Sequence, residues 1–239
     1  MAMFRAVCLL AALLLCGCAP ARVVAPENAQ GIRRVAVISA IGDKFSVRKI
    51  GFTIFGSDLK TFPIDAWGID PFVVNKVRSV LAGRFDVRPF AYRREAFTAA
   101  GTFDKIADAV RAQATSPDID AYIVVSKGGG RAANTKQSIY GLGILEEHTG
   151  LGPASWWVFA LYWITVVDGH SFAVIASAPA IPLDQVKMLA QVKGPSRQVD
   201  ESWMPTTLAA PQNLQLKSAI TDLLDRNLPG TIENLKLTQ

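Results

Sequence analysis

Three stretches of this chain are apolar and largely β-branched on consecutive residues rather than on alternate ones: Arg33–Ile41, Ile119–Ser126 and Trp156–Val167. Successive side chains of a strand point to opposite faces of a sheet, so strands of this kind must bury both faces. A sheet buried on both faces needs helices to cover it, and the chain carries helical stripes between the strands. Asp70-Pro71 opens a stripe of Val73, Val74, Val77, Val80 and Leu81 that ends at Gly83. Asp70 is placed to cap it, with Pro71 at the first helical position. Arg93–Ala100 reads as a short helix stopped by Gly101, and Thr102 caps another bearing Phe103, Ile106, Ala107 and Val110. Leu183–Val192 can form one more, and Pro211 opens the last, which Pro229-Gly230 should break.

Three further signals complete the element order. Phe45–Phe55 and Leu59–Ile64 read as two halves of a hairpin, and Pro89 places Phe85–Tyr92 at a sheet edge. Asp168-Gly169 separates Trp156–Val167 from Ser171–Ala180, the pattern of a two-residue hairpin turn. That turn would set Thr165 opposite Phe172 and Trp163 opposite Val174, with both strands central. The expected fold is therefore α/β: a mixed β-sheet with helices packed on it and a late antiparallel hairpin.

The N-terminus carries an address. Arg5 is followed by about ten apolar residues, Ala6–Leu15, where a membrane-spanning helix needs roughly 20. Leu15-Cys16-Gly17-Cys18 resembles a bacterial lipobox: a large aliphatic residue, two small ones, then the cysteine that is acylated. Residues 1–17 then form a lipoprotein signal peptide, and Cys18 carries the lipid. Residues 18–31 hold the domain, 32–239, on a flexible tether whose thirteen residues after Cys18 reach about 20 Å. Ala19 favours the outer membrane, with the protein in its inner leaflet facing the periplasm. The chain has 3 cysteines. Two leave with the signal peptide and the third is acylated, so neither a catalytic cysteine nor a cysteine zinc site is expected in the mature protein.

Net charge is +5, and the basic pairs Arg33-Arg34, Arg48-Lys49 and Arg93-Arg94 are scattered rather than massed. Nucleic acid is not an expected partner. Residues 127–152 hold seven glycines and read as a long Gly-rich loop. Its candidate interaction residues are Gly128, Gly129, Gly130, Arg131, Tyr140, Glu146, Glu147 and His148. Gly128-Gly129-Gly130-Arg131 follows a buried strand as a phosphate loop would, but lacks the Gly-Lys-Ser/Thr that completes one. Glu146, Glu147 and His148 are adjacent, without the His-Glu-x-x-His spacing of a zinc site. His170 beside Asp168 has no Gly-x-Ser-x-Gly partner. Trp156, Trp157, Tyr162 and Trp163 suit a core or sheet-face role more than a ligand platform. No catalytic residue, metal ligand or cofactor is expected.

The run of motifs RRVAVIS, FDVRPF, DAYIVVS and YWITVVDGHSFAVIAS behind a lipobox and tether resembles a group of periplasmic lipoproteins. These are the curli-pore (CsgG-like) lipoproteins, the amino-terminal domain of TolB, and the lipoprotein activators of penicillin-binding proteins. The resemblance implies a non-enzymatic protein of envelope assembly, secretion or cell-wall regulation, with an envelope protein or peptidoglycan as partner. It transfers no catalytic residue. Neither Phe45–Phe55 nor 127–152 alternates over the ~10 residues of a transmembrane strand, so pore formation is not expected. The alternative is a periplasmic hydrolase or ligand-binding lipoprotein. It would use the 127–152 loop, with Asp43, Asp65 or Asp70 nearby.

Overall fold

A computed structural model describes residues 31–51, 56–148, 152–180, 192–205 and 210–237. The expected signal peptide, Cys18, the expected tether up to residue 30 and all but the last residue of the helix expected over Leu183–Val192 lie outside them. The fold is α/β with mixed sheets. Strands are numbered β1–β12 along the chain. Arg34–Ala40 (β1) lies between Asp86–Arg88 (β4) and Ala121–Lys127 (β5), parallel to both. Tyr162–Asp168 (β10) continues the sheet antiparallel to β5, and Val174–Pro179 (β11) closes its edge. In a second sheet, Lys44–Ile50 (β2) lies between Asp58–Pro63 (β3, antiparallel) and Leu142–Glu147 (β8, parallel). Ser155–Ala160 (β9) and Ser196–Val199 (β12) follow, each antiparallel to its neighbour.

The two sheets meet end to end. The chain passes from one to the other five times, between β1 and β2, β3 and β4, β5 and β8, β9 and β10, and β11 and β12. At this junction three backbone bonds form a ring. Gly128 N–H donates to Leu161 O at 2.9 Å, Leu161 N–H to Gly141 O at 2.8 Å, and Gly141 N–H to Gly128 O at 2.9 Å. Two of these residues must be glycine. A Cβ on Gly128 would lie 2.7 Å from the Tyr162 carbonyl, and Gly141 has φ +70°. Here Trp156–Val167 departs from the expected single strand. It breaks at Leu161 because β9 and β10 belong to different sheets.

Helices Ile69–Leu81 (α1) and Leu214–Asn234 (α4) cover one face of the first sheet. Arg94–Thr98 (α2) and Phe103–Gln113 (α3) cover the other. β1 shows why both are needed: Val35 and Val37 enter the core under α1 and α4, while Ala36, Ile38 and Ala40 enter the core under α2 and α3. α4 also packs across the second sheet. It runs through Pro229 instead of breaking there. Leu228 and Ile232 are fully buried on either side, and Thr231 hydrogen-bonds the Tyr162 hydroxyl at 3.0 Å. That packing outweighs the ~3 kcal/mol helix cost of an internal proline.

Asp70 does not cap its helix. Gly68 takes the cap position, and Asp70 Oδ1 accepts from Ser39 Oγ at 2.7 Å, Ile41 N at 2.9 Å and Gly42 N at 3.1 Å. It therefore holds the end of β1 as the chain turns into β2. Asp120 does the same at the start of β1, accepting from Arg33 N at 3.0 Å and Arg34 N at 2.8 Å. The late hairpin is present, but its register pairs Thr165 with Ser177 and Trp163 with Pro179. Its loop is longer than two residues, and β11 lies at the edge rather than centrally. Asp168 Oδ1 accepts from His170 N and Ser171 N, and the positive φ falls on Phe172 at 58°. Gly169 serves close approach instead: a Cβ there would sit 1.8 Å from Ile119 O.

Burial raises the pKa of Asp120, but the N–H groups of Arg34 and Arg33 and the Arg34 guanidinium outweigh it and hold the carboxyl below the ordinary value. Stability from this tie is full above about pH 4, the ordinary aspartate value, and is lost as pH falls through the lowered folded value. Asp120→Asn should cost about 2–3 kcal/mol at neutral pH and flatten the acid limb of stability against pH in urea titrations. Gly128→Ala should cost about 1–3 kcal/mol, while Gly83→Ala, with open space around the added methyl, should change stability by less than about 1 kcal/mol.

Candidate functional site

Residues 127–148 do not form the long loop expected over 127–152, whose residues 149–151 lie outside the described residues. Gly129–Arg131 (β6) and Ser138–Tyr140 (β7) form a two-stranded ribbon, and Leu142–Glu147 is β8 of the second sheet. The seven glycines suggested a loop by composition. The structure spends several of them on close approach: a Cβ on Gly130 would meet Lys193 O at 2.4 Å, and one on Gly143 would meet Ser46 O at 2.5 Å. The ribbon starts at the glycine junction and lies along the face of the second sheet opposite α4. Ala132, Ala133 and Ile139 pack there on Ile50, Leu145 and Phe159.

The ribbon tip is fastened by Glu147, which is fully buried. Its carboxylate accepts from Asn134 N at 3.0 Å, Thr135 N at 2.5 Å and Asn134 Nδ2 at 3.3 Å. Glu146 points to the other face of β8. Lys49 Nζ donates to it at 2.7 Å, and His148 Nε2 lies 2.5 Å away. Burial raises the Glu146 pKa, but Lys49 and His148 outweigh that and hold it below the usual carboxylate range. Adjacent in sequence, Glu146 and Glu147 thus do separate work. Neither lies near Asp43, which forms an ion pair with Lys127 at the junction. Glu147 is in register with Ile50, seven residues along the strand from Asp43, roughly 20 Å away.

Between the ribbon and the β2–β3 half of the sheet lies a half-open cleft of about 680 Å³. On the sheet side Lys44, Ser46 and Arg48 line it from alternate positions of β2, with Thr61 and Leu59 of β3 beside them. On the ribbon side are Gly129, Gly130, Arg131, Ser138 and Tyr140, with Lys127 and Lys193 at the margins. Five cations and no carboxylate thus face the cleft among the described residues. Lys127 is neutralised by Asp43. Lys44 and Lys193 have no carboxylate partner among the described residues. Arg48 reaches Gln137 Oε1 at 3.4 Å, while its Nε is buried without a hydrogen-bond partner among the described residues. Tyr140 is 57% exposed and Leu59 53% exposed at this cleft. The arrangement suits a negatively charged ligand held by charge-assisted hydrogen bonds.

Of the eight loop candidates, Gly129, Gly130, Arg131 and Tyr140 come together in the cleft, and Gly128 shapes the junction beneath it. Glu146, Glu147 and His148 do not join them. Sequence reading missed Lys44, Arg48, Lys127 and Lys193. One signal was available: Lys44-Phe45-Ser46-Val47-Arg48 alternates polar and apolar, placing both cations on one face. The four aromatics also disperse, Trp156 and Trp163 half-buried on their strands and Trp157 and Tyr162 buried. Trp157 is buried under the ribbon, Tyr162 in the main core, and Trp163 packs edge-on to Phe103 at 5.1 Å.

No protein-family model and no curated protein matches the chain. Among solved structures, a PelC dodecamer from Paraburkholderia phytofirmans is similar at 15% identity, covering 89% of this chain and 95% of that one, with TM-score 0.32. A Xanthomonas campestris protein of family DUF330 is similar at 11% identity, covering 90% and 96%, with TM-score 0.33. A neuraminyllactose-binding hemagglutinin homolog from Helicobacter pylori is similar at 7% identity, covering 87% of each chain, with TM-score 0.33. TM-scores this low carry no functional inference.

Glu147→Ala should leave Asn134 N and Thr135 N unpaired beneath the ribbon. We expect a loss of about 2–4 kcal/mol. Amide exchange should accelerate at 132–137 and remain slow in β1 and β5.

Proposed function

We propose that this protein is a lipid-anchored component of the bacterial envelope that works by binding, not catalysis, in assembly, secretion or cell-wall regulation. The observation that carries this reading is Leu15-Cys16-Gly17-Cys18 at the end of a short apolar segment. On it, Cys18 bears the acyl chains and residues 19–31 hold the domain at the periplasmic face of the outer membrane. Several acyl chains, at about 0.8 kcal/mol per buried CH₂, make such an anchor nearly permanent. The partner is an envelope protein or peptidoglycan. The resemblance in motif order to the curli-pore, TolB amino-terminal and penicillin-binding-protein-activator lipoproteins adds support.

Binding is favoured over hydrolysis by the use made of the acids. Asp70, Asp120 and Glu147 each accept several backbone N–H bonds that hold strands in place, and Asp43 is paired with Lys127. The 127–152 segment supplies one wall of a cationic cleft, which supports the ligand-binding half of the alternative reading. Glu146, Glu147 and His148 stand away from it.

The anchor is tested in a bacterial host. Cys18→Ala should abolish incorporation of labelled palmitate and leave the uncleaved precursor as a heavier band. Palmitate labelling that persists in this variant overturns the reading.

A further inference from the structure

We propose that the cleft between the β6–β7 ribbon and the β2–β3 face binds an extended acidic peptide segment of a partner protein. This deepens the binding reading above and rests on it only for where the partner is met. The charge and shape of the cleft stand without the lipid anchor.

Cations occupy both walls. Lys44 and Arg48 stand four residues apart on one strand, about 13 Å along the sheet wall. Arg131 stands on the ribbon wall, with Lys127 and Lys193 at its margins. An extended peptide turns alternate side chains to opposite sides and repeats on each side about every 6.6 Å. A run of Asp and Glu laid along the cleft therefore meets both walls at once. Carboxylates at positions i and i+4 match the Lys44–Arg48 spacing. Ser46, Thr61 and Ser138 supply hydroxyls between the charges for the peptide groups. Among the described residues the Arg48 Nε is buried without a hydrogen-bond partner, and no carboxylate pairs with the guanidinium, so its charge stands unneutralised in the sheet wall. Tyr140 and Leu59 offer exposed apolar surface at the cleft to the intervening side chains.

The test titrates fluorescein-labelled octa-glutamate into the purified, full-length lipidated protein in neutral detergent at low salt. Saturable binding is expected. The triple variant Lys44→Gln/Arg131→Gln/Lys193→Gln should weaken it at least about tenfold, each surface charge contributing roughly two- to fivefold. The charge-matched variant Arg78→Gln/Lys105→Gln/Lys217→Gln, altered on α1, α3 and α4, should stay within about twofold of the parent. Thermal unfolding confirms that each is folded. If the first triple variant unfolds, the exposed single change Lys44→Gln is read instead, with at least about twofold weakening expected. Absence of saturable binding, or equal weakening in both triple variants, overturns the proposal. So does tighter cleft-dependent binding of polygalacturonate or of phosphatidylglycerol vesicles than of the peptide. Palmitate labelling at Cys18 is read separately, so failure of the anchor and failure of the cleft remain distinguishable.

Discussion

The rest of the structure depends on the close approach of three chain segments where the two sheets meet. The ring of bonds among Gly128, Gly141 and Leu161 lets β5 and β10 of one sheet align with β8 and β9 of the other. No side chain fits at Gly128, and Gly141 sits in left-handed backbone. Close approach here sets where the ribbon departs, and the departing ribbon creates the cleft. The composition that looked like a flexible segment is the condition for a packed one.

Carboxylates complete what the glycines begin. Asp120 ties the start of β1, Asp70 its end, Glu147 the ribbon tip and Asp168 the late hairpin loop. Each accepts N–H groups that strand ends and turns cannot pair within the sheet, and an unpaired buried donor costs about 1–3 kcal/mol. This division of labour separates the acids from the cleft. Glu147 holds the ribbon from beneath at its tip, while the side chains lining the cleft are cationic or neutral among the described residues. Among the described residues that line the cleft, Lys127 is the cation paired with a carboxylate, that of Asp43.

Strand identity was legible where burial on both faces leaves a continuous apolar run, as in Arg33–Ile41 and Ile119–Ser126, and helix identity where Thr102 caps a 3.6-residue stripe. Legibility failed where tertiary contact overrode a local rule. Pro229 stays within α4 because Leu228 and Ile232 are locked into the core. Asp168-Gly169 forms a longer loop because Gly169 is pressed against Ile119 rather than free to take positive φ. Trp156–Val167 reads as one strand because nothing in its composition marks Leu161 as the point where it changes sheets. Half of the candidate site was visible as Gly129, Gly130, Arg131 and Tyr140. The other half, Lys44 and Arg48, lies more than eighty residues earlier and joins through a parallel pairing with β8.

The sequence by itself determined the secondary-structure class and the need for helices on both sides of a sheet, and it carries a motif near the N-terminus that resembles a lipobox. These depend on side-chain periodicity and local motif, which are properties of neighbouring residues. The tertiary structure decided the splitting of the strands into two sheets, the folding of a glycine-rich segment into a ribbon, and the gathering of cations from β2, β6 and the chain before β12 around one cleft. Those outcomes depend on register and close approach between segments far apart in the chain, which no local pattern records.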